Sequence, residues 1–114
     1  MHELSIASSL LDLCLEKAAE AKAVKITNIK LKIGKLSGVV VHFLKEAFEA
    51  IKTGTIAEKS GFEYFLQDVK IFCGSCQKES LLKKNIFKCP LCESIDIKVT
   101  DGEDLILMNL ELEI

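Results

Sequence analysis

Two cysteine pairs constrain the folding of this chain more than any other feature of its sequence. Cys73 and Cys76 form one C-x2-C motif, Cys89 and Cys92 form a second, and twelve residues separate the two motifs. Zn(II) binds four thiolates in a closed tetrahedron, and a C-x2-C turn presents two sulfurs to one ion without strain. The gap is a little shorter than is usual for such sites but still permits a hairpin. The sequence therefore predicts one zinc site between the tips of two opposed loops.

Two other uses of these cysteines meet obstacles. Structural disulfides would require an oxidising compartment, and a thioredoxin-like redox pair would require a single C-x2-C motif at the start of a helix. Neither context is visible in the sequence. Four cysteines also close the coordination shell of zinc, whereas catalytic zinc keeps one position open for water. Since no histidine follows His42, the zinc is predicted to be structural.

The composition indicates a globular protein without a membrane segment. With 114 residues and 49% hydrophobic content, the chain is long enough to bury a core. No apolar stretch reaches the length of a membrane span, and the N-terminus lacks the features of a signal peptide. We therefore expect a cytoplasmic protein with reduced thiols, in which the fifth cysteine, Cys14, is free and packs as a small buried side chain.

Hydrophobic periodicity predicts two helices and three strands. Apolar residues recur at helical spacing over residues 4–21 and again over 44–51, where Gly54 is placed to cap the second helix. Residues 29–33 and 106–114 alternate between apolar and polar, and 62–72 is rich in aromatic and β-branched residues, as is typical of strands.

The order of these elements predicts an α+β fold. It is an α/β sandwich, in which two helices lie on a small three-stranded sheet and a zinc-ribbon module is inserted between two strands. We expect residues 71–100 to form the zinc-binding domain, and residues 1–70 plus 101–114 to form the other domain. The zinc segment is too short and too poor in apolar residues to fold without its metal.

The N-terminus has the donor groups of a metal chelate. A bulky second residue ordinarily leaves the initiator methionine in place, so the mature chain would start Met1-His2-Glu3. The Met1 amine, the His2 amide nitrogen and the His2 imidazole offer three nitrogens in one plane, which Ni(II) and Cu(II) favour more than Zn(II) does. A histidine at position 2 of a frayed terminus has no function in most proteins. The spacing alone leaves both interpretations open.

Several motifs together resemble the HypA/HybF family of hydrogenase nickel-incorporation proteins. They are residues 1–6 (MHELSI) with Ser9-Leu10, residues 33–38 (IGKLSG), Ala47-Phe48, Gly54-Thr55 and the two C-x2-C motifs, in the family's order along the whole chain. The resemblance implies a cytoplasmic metallochaperone that helps to insert Ni(II), its transient cargo, into the large subunit of NiFe-hydrogenase. It also implies a HypB-type GTPase as partner and, in some bacteria, a contribution to urease maturation.

The resemblance also implies where each metal binds. On the family's pattern the nickel site maps onto His2 with Glu3 beside it, so residues 1–70 plus 101–114 would form a nickel-binding domain. The four cysteines would hold structural Zn(II).

This chain departs from the family's pattern at two places. Some relatives carry a histidine after each cysteine pair and an acidic residue in the loop after the first strand. Here Gln77 and Glu93 follow the pairs, and residues 39–41 are three valines. His42 is then the one imidazole available to replace a loop ligand, and the alternative is that it caps or packs against the second helix.

The remaining alternatives belong to other functional classes. No Ser/His/Asp set, phosphate loop or paired-carboxylate cleft can be assembled from this sequence, so we expect a binding and delivery protein and not an enzyme. A zinc-ribbon adaptor for nucleic acid or protein is the main alternative, and a scaffold with only a structural metal is another. The net charge of −2 and the absence of arginine, which binds phosphates and guanine edges, weaken the nucleic-acid hypothesis.

Overall fold

The computed structural model describes residues 2–82 and 86–114. The elements in chain order are α1 (Glu3–Glu20), β1 (Lys25–Gly34), α2 (Val41–Ile51), β2 (Gly61–Gln67), β3 (Val69–Cys73), β4 (Glu79–Leu82), β5 (Ile97–Asp101) and β6 (Leu105–Glu113). They form two three-stranded sheets, ordered β2-β1-β6 and β4-β3-β5. The α+β class, with two helices, a three-stranded sheet and a four-cysteine module, is confirmed. Within the described residues, no helix combines the length and apolar character needed to span a membrane.

Helix α1 matches the predicted periodicity except at its first turn. Its buried stripe consists of Ala7, Leu10, Leu11, Cys14 and Ala18. Cys14 is free and fully buried, as expected. The helix ends in a Schellman motif, in which Ala23 N–H donates to the Ala18 carbonyl and Lys22 adopts the left-handed conformation (φ 56°). Leu4, assigned to the buried stripe by its spacing, is instead 62% exposed.

The first sheet and α2 also follow their sequence patterns. Strand β1 buries Ile29, Leu31 and Ile33, and α2 buries Leu44 and Phe48. Gly54 has the predicted left-handed conformation (φ 84°), although it lies two residues beyond the C-cap of α2.

The single strand predicted over residues 62–72 is wrong. The chain leaves β2 at Gln67, passes Asp68 and enters β3 at Val69, and the two strands belong to different sheets. The break is stabilised at Asp68, whose carboxylate forms an ion pair with Lys35. The Lys35 N–H donates to the Gln67 carbonyl at 3.0 Å. Composition indicated extended structure here, but it carried no information about these contacts with residues far away in the sequence.

The chain divides into two compact units. The helix unit comprises the described residues of Met1–Leu31, Val39–Tyr64 and Ile106–Ile114, and the cysteine unit comprises those of Lys32–Gly38 and Phe65–Leu105. The cysteine unit includes more residues than the zinc-binding domain predicted over residues 71–100.

Residues 32–38 belong to the cysteine unit because they contact other residues of that unit. Lys32 forms an ion pair with Asp101 at 2.8 Å, and Leu36 N–H donates to the Gly102 carbonyl. A hydrogen bond from the Lys32 ammonium lowers the pKa of Asp101, and the Gly102 N–H lowers it further. The carboxylate therefore stays charged. These interactions attach the end of β1 to the segment that leads out of β5.

The IGKLSG segment contains two glycines with different physical requirements. A side chain on Gly34 would collide with the backbone carbonyl of Gly102, whereas Gly38 has open space around it and only a positive φ of 77°. We predict that Gly34→Ala lowers the free energy of unfolding by about 3 kcal/mol, because backbone must move. Gly38→Ala should cost about 1 kcal/mol, from the left-handed conformation alone. Urea unfolding of the zinc-loaded protein compares the two, and equal losses would contradict the steric argument.

Candidate metal centre

The structure brings the four predicted cysteines together. Their sulfur atoms all lie within 4.8 Å of one another, with Cys73 Sγ 3.5 Å from Cys92 Sγ and Cys76 Sγ 3.7 Å from Cys89 Sγ. Four sulfurs bonded tetrahedrally to one zinc ion at about 2.3 Å are about 3.8 Å apart. Two sulfur pairs therefore have zinc-site separations, and the remaining pairs are at most about 1 Å too far apart, so the four thiols fit Zn(II) after a small adjustment.

The two cysteine loops have the same local construction. In each, the N–H of the first cysteine donates to the carbonyl five residues later, Lys78 for Cys73 (3.0 Å) and Ser94 for Cys89 (2.8 Å). In each, the residue after the second cysteine is left-handed, with φ of 55° at Gln77 and 62° at Glu93. Two equivalent turns thus present two sulfurs each, which is the arrangement that the C-x2-C spacing predicted.

The strands of the cysteine unit position the first loop. Strand β3 is central and antiparallel to both β4 and β5, and its alternation places Val69, Ile71 and Cys73 on the buried face. Leu82 of β4 and Cys89 complete this small core, and Ile97 and Val99 of β5 pack against it. In the described part of this unit, the cysteines thus pack on a core of only a few apolar side chains.

The second loop is attached to the first through polar contacts. Gly74 N–H donates to the Asp96 carbonyl at 2.8 Å, and the hydroxyls of Ser75 and Ser94 are 2.9 Å apart. The Ser94 hydroxyl also accepts the Asp96 N–H at 3.0 Å. These bonds join the two turns that carry the sulfurs.

Backbone N–H groups favour a thiolate at the first cysteine of each loop. The Cys76 N–H, 3.5 Å from the sulfur, lowers the pKa of Cys73 to about 7. Burial raises the pKa of Cys89, but N–H groups of Cys92 and Leu91 outweigh it and lower the value.

The second cysteines behave in the opposite way. Burial raises the pKa of Cys76. At Cys92 the Ser94 N–H lowers the pKa, but neighbouring thiols and burial together raise it to about 12. A divalent cation would supply the charge that lets all four sulfurs be thiolates together.

The predicted nickel residues lie in the helix unit. His2 is exposed at the N-cap position of α1, where its side chain makes no capping bond and its carbonyl accepts the Ile6 N–H at 2.9 Å. Glu3 is only 7% exposed, and its carboxylate accepts the Val40 N–H at 3.3 Å. The Met1 amine lies outside the described residues.

The other histidine does not join His2 in a cluster. His42 is exposed on the first turn of α2, and its Nε2 lies 3.1 Å from Glu46 Oε1. Within residues 2–82 and 86–114, the four cysteines are the one group of three or more His, Cys, Asp or Glu side chains with converging ligand atoms.

Comparison with known proteins places this chain in a family. A family model described as hydrogenase/urease nickel incorporation, metallochaperone, HypA, matches residues 1–112. The chain belongs to the HypA family. It is 43% identical to the hydrogenase maturation factor HypA of Campylobacter jejuni over 114 residues, covering 99% of this chain and 100% of that protein. It is 41% identical to the same factor of Aquifex aeolicus, covering 100% and 99%.

Solved HypA structures share the fold. The solution structure of the Ni metallochaperone HypA from Helicobacter pylori matches with a TM-score of 0.74 and 27% identity, covering 99% of this chain and 98% of that one. A second solution structure of a HypA protein gives a TM-score of 0.76 at the same identity. The family resemblance noted in the sequence is thus confirmed, and the chain is a member of a family of nickel metallochaperones for hydrogenase and urease.

We predict that the cysteine cluster, and not buried thiols in general, binds zinc and maintains the cysteine unit. Cys89→Ala should remove about one equivalent of Zn(II) and unfold the cysteine unit, because this unit has too little core to fold without metal. The measurements are zinc content by elemental analysis and backbone amide NMR signals of both units. The matched control is Cys14→Ala, which removes a fully buried thiol. It should keep its zinc while losing about 1 kcal/mol of stability. Full zinc retention by the Cys89 variant would contradict the assignment.

Proposed function

We propose that this protein carries Ni(II) to a nickel enzyme during its maturation, with NiFe-hydrogenase as the main recipient and urease as a second. Family membership over nearly the whole chain is the observation that carries the proposal. Two further features support it. An exposed histidine stands at the start of α1, and the described part of the chain has a sulfur cluster whose chemistry suits a different metal.

The start of α1 suits a chelate made from backbone and side chain. The donors would be the Met1 amine, the His2 amide nitrogen and the His2 imidazole, with Glu3 adjacent. The first N–H groups of a helix have no intrahelical acceptor, so deprotonating the amide of the N-cap residue breaks no bond of the helix. Ni(II) favours such a tetragonal set of nitrogens. The exposure of His2 leaves the cargo accessible to a receiving protein.

The zinc site would have a different role. Four thiolates fill the coordination shell, so no position remains for a substrate or a reactive water. The metal is therefore structural, it stabilises the cysteine unit, and the protein is a carrier and not an enzyme. The finer expectations from the family follow as part of this proposal: work in the cytoplasm, a HypB-type GTPase as partner, and delivery to the hydrogenase large subunit.

We predict that nickel binding depends on the first residues of the chain. His2→Ala removes the imidazole, and an N-terminal extension converts the amine to a non-basic amide. Each change should weaken Ni(II) binding at least tenfold, or about 1.4 kcal/mol. Both act at the chain end, so zinc content and thermal unfolding should stay unchanged. Isothermal titration of the zinc-loaded protein with Ni(II) measures the effect.

The control is His42→Ala, which removes the other imidazole. His42 is exposed and paired with Glu46, so its loss should leave nickel affinity within about threefold of the parent. A His2→Ala protein that binds Ni(II) as tightly as the parent would eliminate the chelate. A neutral result from both N-terminal changes would favour the adaptor or scaffold alternatives, since neither needs a free amine.

We also predict that acid releases nickel. Protons compete with the metal for the amine, the imidazole and the amide nitrogen, so affinity should fall at least tenfold between about pH 7.5 and pH 5.5. The same titration repeated across this range provides the test, with zinc content followed in parallel. Unchanged Ni(II) affinity at the acidic end would exclude these nitrogens as the ligands.

A further inference from the structure

Helix α2 begins without a cap of its own. Its N-cap residue is Val40, in an extended conformation (φ −89°, ψ 107°), and its first turn contains no acidic residue. Helix starts leave N–H groups unpaired, and valine is among the poorest N-cap residues. In a capping box, a glutamate three residues into the helix would reach back to the N–H of the N-cap residue. In α2 that position is held by Phe43, which has no acceptor.

Glu3 supplies the missing acceptor from the other helix. Its Oε2 accepts the Val40 N–H at 3.3 Å, although 37 residues separate the two in sequence. The Glu3 side chain is buried, and a buried carboxylate requires hydrogen-bond donors or positive charge around it. The N-terminal end of α2 provides both, because its free N–H groups carry the positive end of the helix dipole.

The same carboxylate also stands in the first turn of its own helix. Glu3 is the first residue of α1 and directly follows His2. One negative charge therefore lies at the N-terminal ends of both helices. The contact fixes the backbone at Glu3 relative to α2, and with it the backbone of His2, which directly precedes Glu3.

We propose that Glu3 is a positioning residue whose carboxylate caps α2 and thereby holds His2 in the arrangement that chelates Ni(II). This inference rests on the proposed function, and it assigns the Glu3 side chain to α2 and not to the metal. Binding a metal through three adjacent groups orders their backbone, so a terminus that is already held in place loses less conformational entropy and binds more tightly.

Two substitutions at one position separate capping from ligation. Glu3→Gln keeps an oxygen that accepts the Val40 N–H but removes the charged metal donor, whereas Glu3→Ala removes both. The matched control is Glu16→Ala, which removes an exposed acid from the same helix. Two readouts are needed: hydrogen exchange of the Val40 amide in nickel-free, zinc-loaded protein, and Ni(II) affinity by titration.

The expected pattern has three parts. Glu3→Ala should speed exchange at Val40 about tenfold and weaken Ni(II) binding about tenfold. Glu3→Gln should keep both quantities within about threefold of the parent, since a neutral acceptor replaces a charged one. Glu16→Ala should change neither, and zinc content should be the same throughout.

Each contrary result has a distinct meaning. Unchanged exchange at Val40 in Glu3→Ala would overturn the cap. Faster exchange with parental nickel affinity would overturn the positioning role. A Glu3→Gln protein with protected Val40 but nickel binding as weak as that of Glu3→Ala would make the carboxylate a ligand, and the inference would be wrong. Failure of the proposed function is seen separately, as the absence of His2-dependent nickel binding in the parent, while the exchange data still decide the cap.

Discussion

The convergence of four sulfurs is the constraint on which the cysteine unit depends. Among the described residues, the buried core of this unit consists of Val69, Ile71, Leu82 and the first cysteine of each loop, with Ile97 and Val99 packed against it. This is little apolar material for three strands and two loops. In the proposed role, a bound metal would supply the missing free energy, because the unfolded chain has no preformed site and the binding energy becomes folding energy. The contacts around the sulfurs are consistent with this role. They hold the two loops in equivalent conformations, with all four sulfurs within 4.8 Å of one another.

The second constraint is the meeting of α1 and α2 at their N-terminal ends. The hydrogen bond from the Val40 N–H to the Glu3 carboxylate joins the start of α1 to the start of α2, although 37 residues separate the two in sequence. It gives the chain a fixed contact one residue after His2. His2 of the proposed nickel chelate and the cysteine cluster lie in different units, with nitrogen donors proposed in one and sulfur donors in the other. That difference would let ligand type separate two divalent ions of similar size.

Local patterns in the sequence predicted the structure well where local physics decides it. The cysteine spacing indicated the metal site, and the periodicity of residues 4–21 indicated α1, since burial on one face imposes that period. The alternation of residues 106–114 indicated β6, although two of its alternating apolar residues, Ile106 and Met108, are exposed. Sequence patterns failed to predict the elements whose bounds depend on contacts between residues that are distant in sequence. The split of 62–72 into β2 and β3 depends on Lys35, and strands β4 and β5 depend on pairing with β3. The exposure of Leu4 and the partner of Glu3 likewise follow from packing between helices.

We propose that this HypA-family protein holds two metals through two kinds of donor atom. X-ray absorption at the nickel and zinc edges of protein loaded with about one equivalent of each metal tests it most directly. The account predicts zinc surrounded by four sulfurs at about 2.3 Å, and nickel surrounded by nitrogen and oxygen with no sulfur in its shell. Sulfur bound to nickel, or a nitrogen and oxygen majority around zinc, would contradict it.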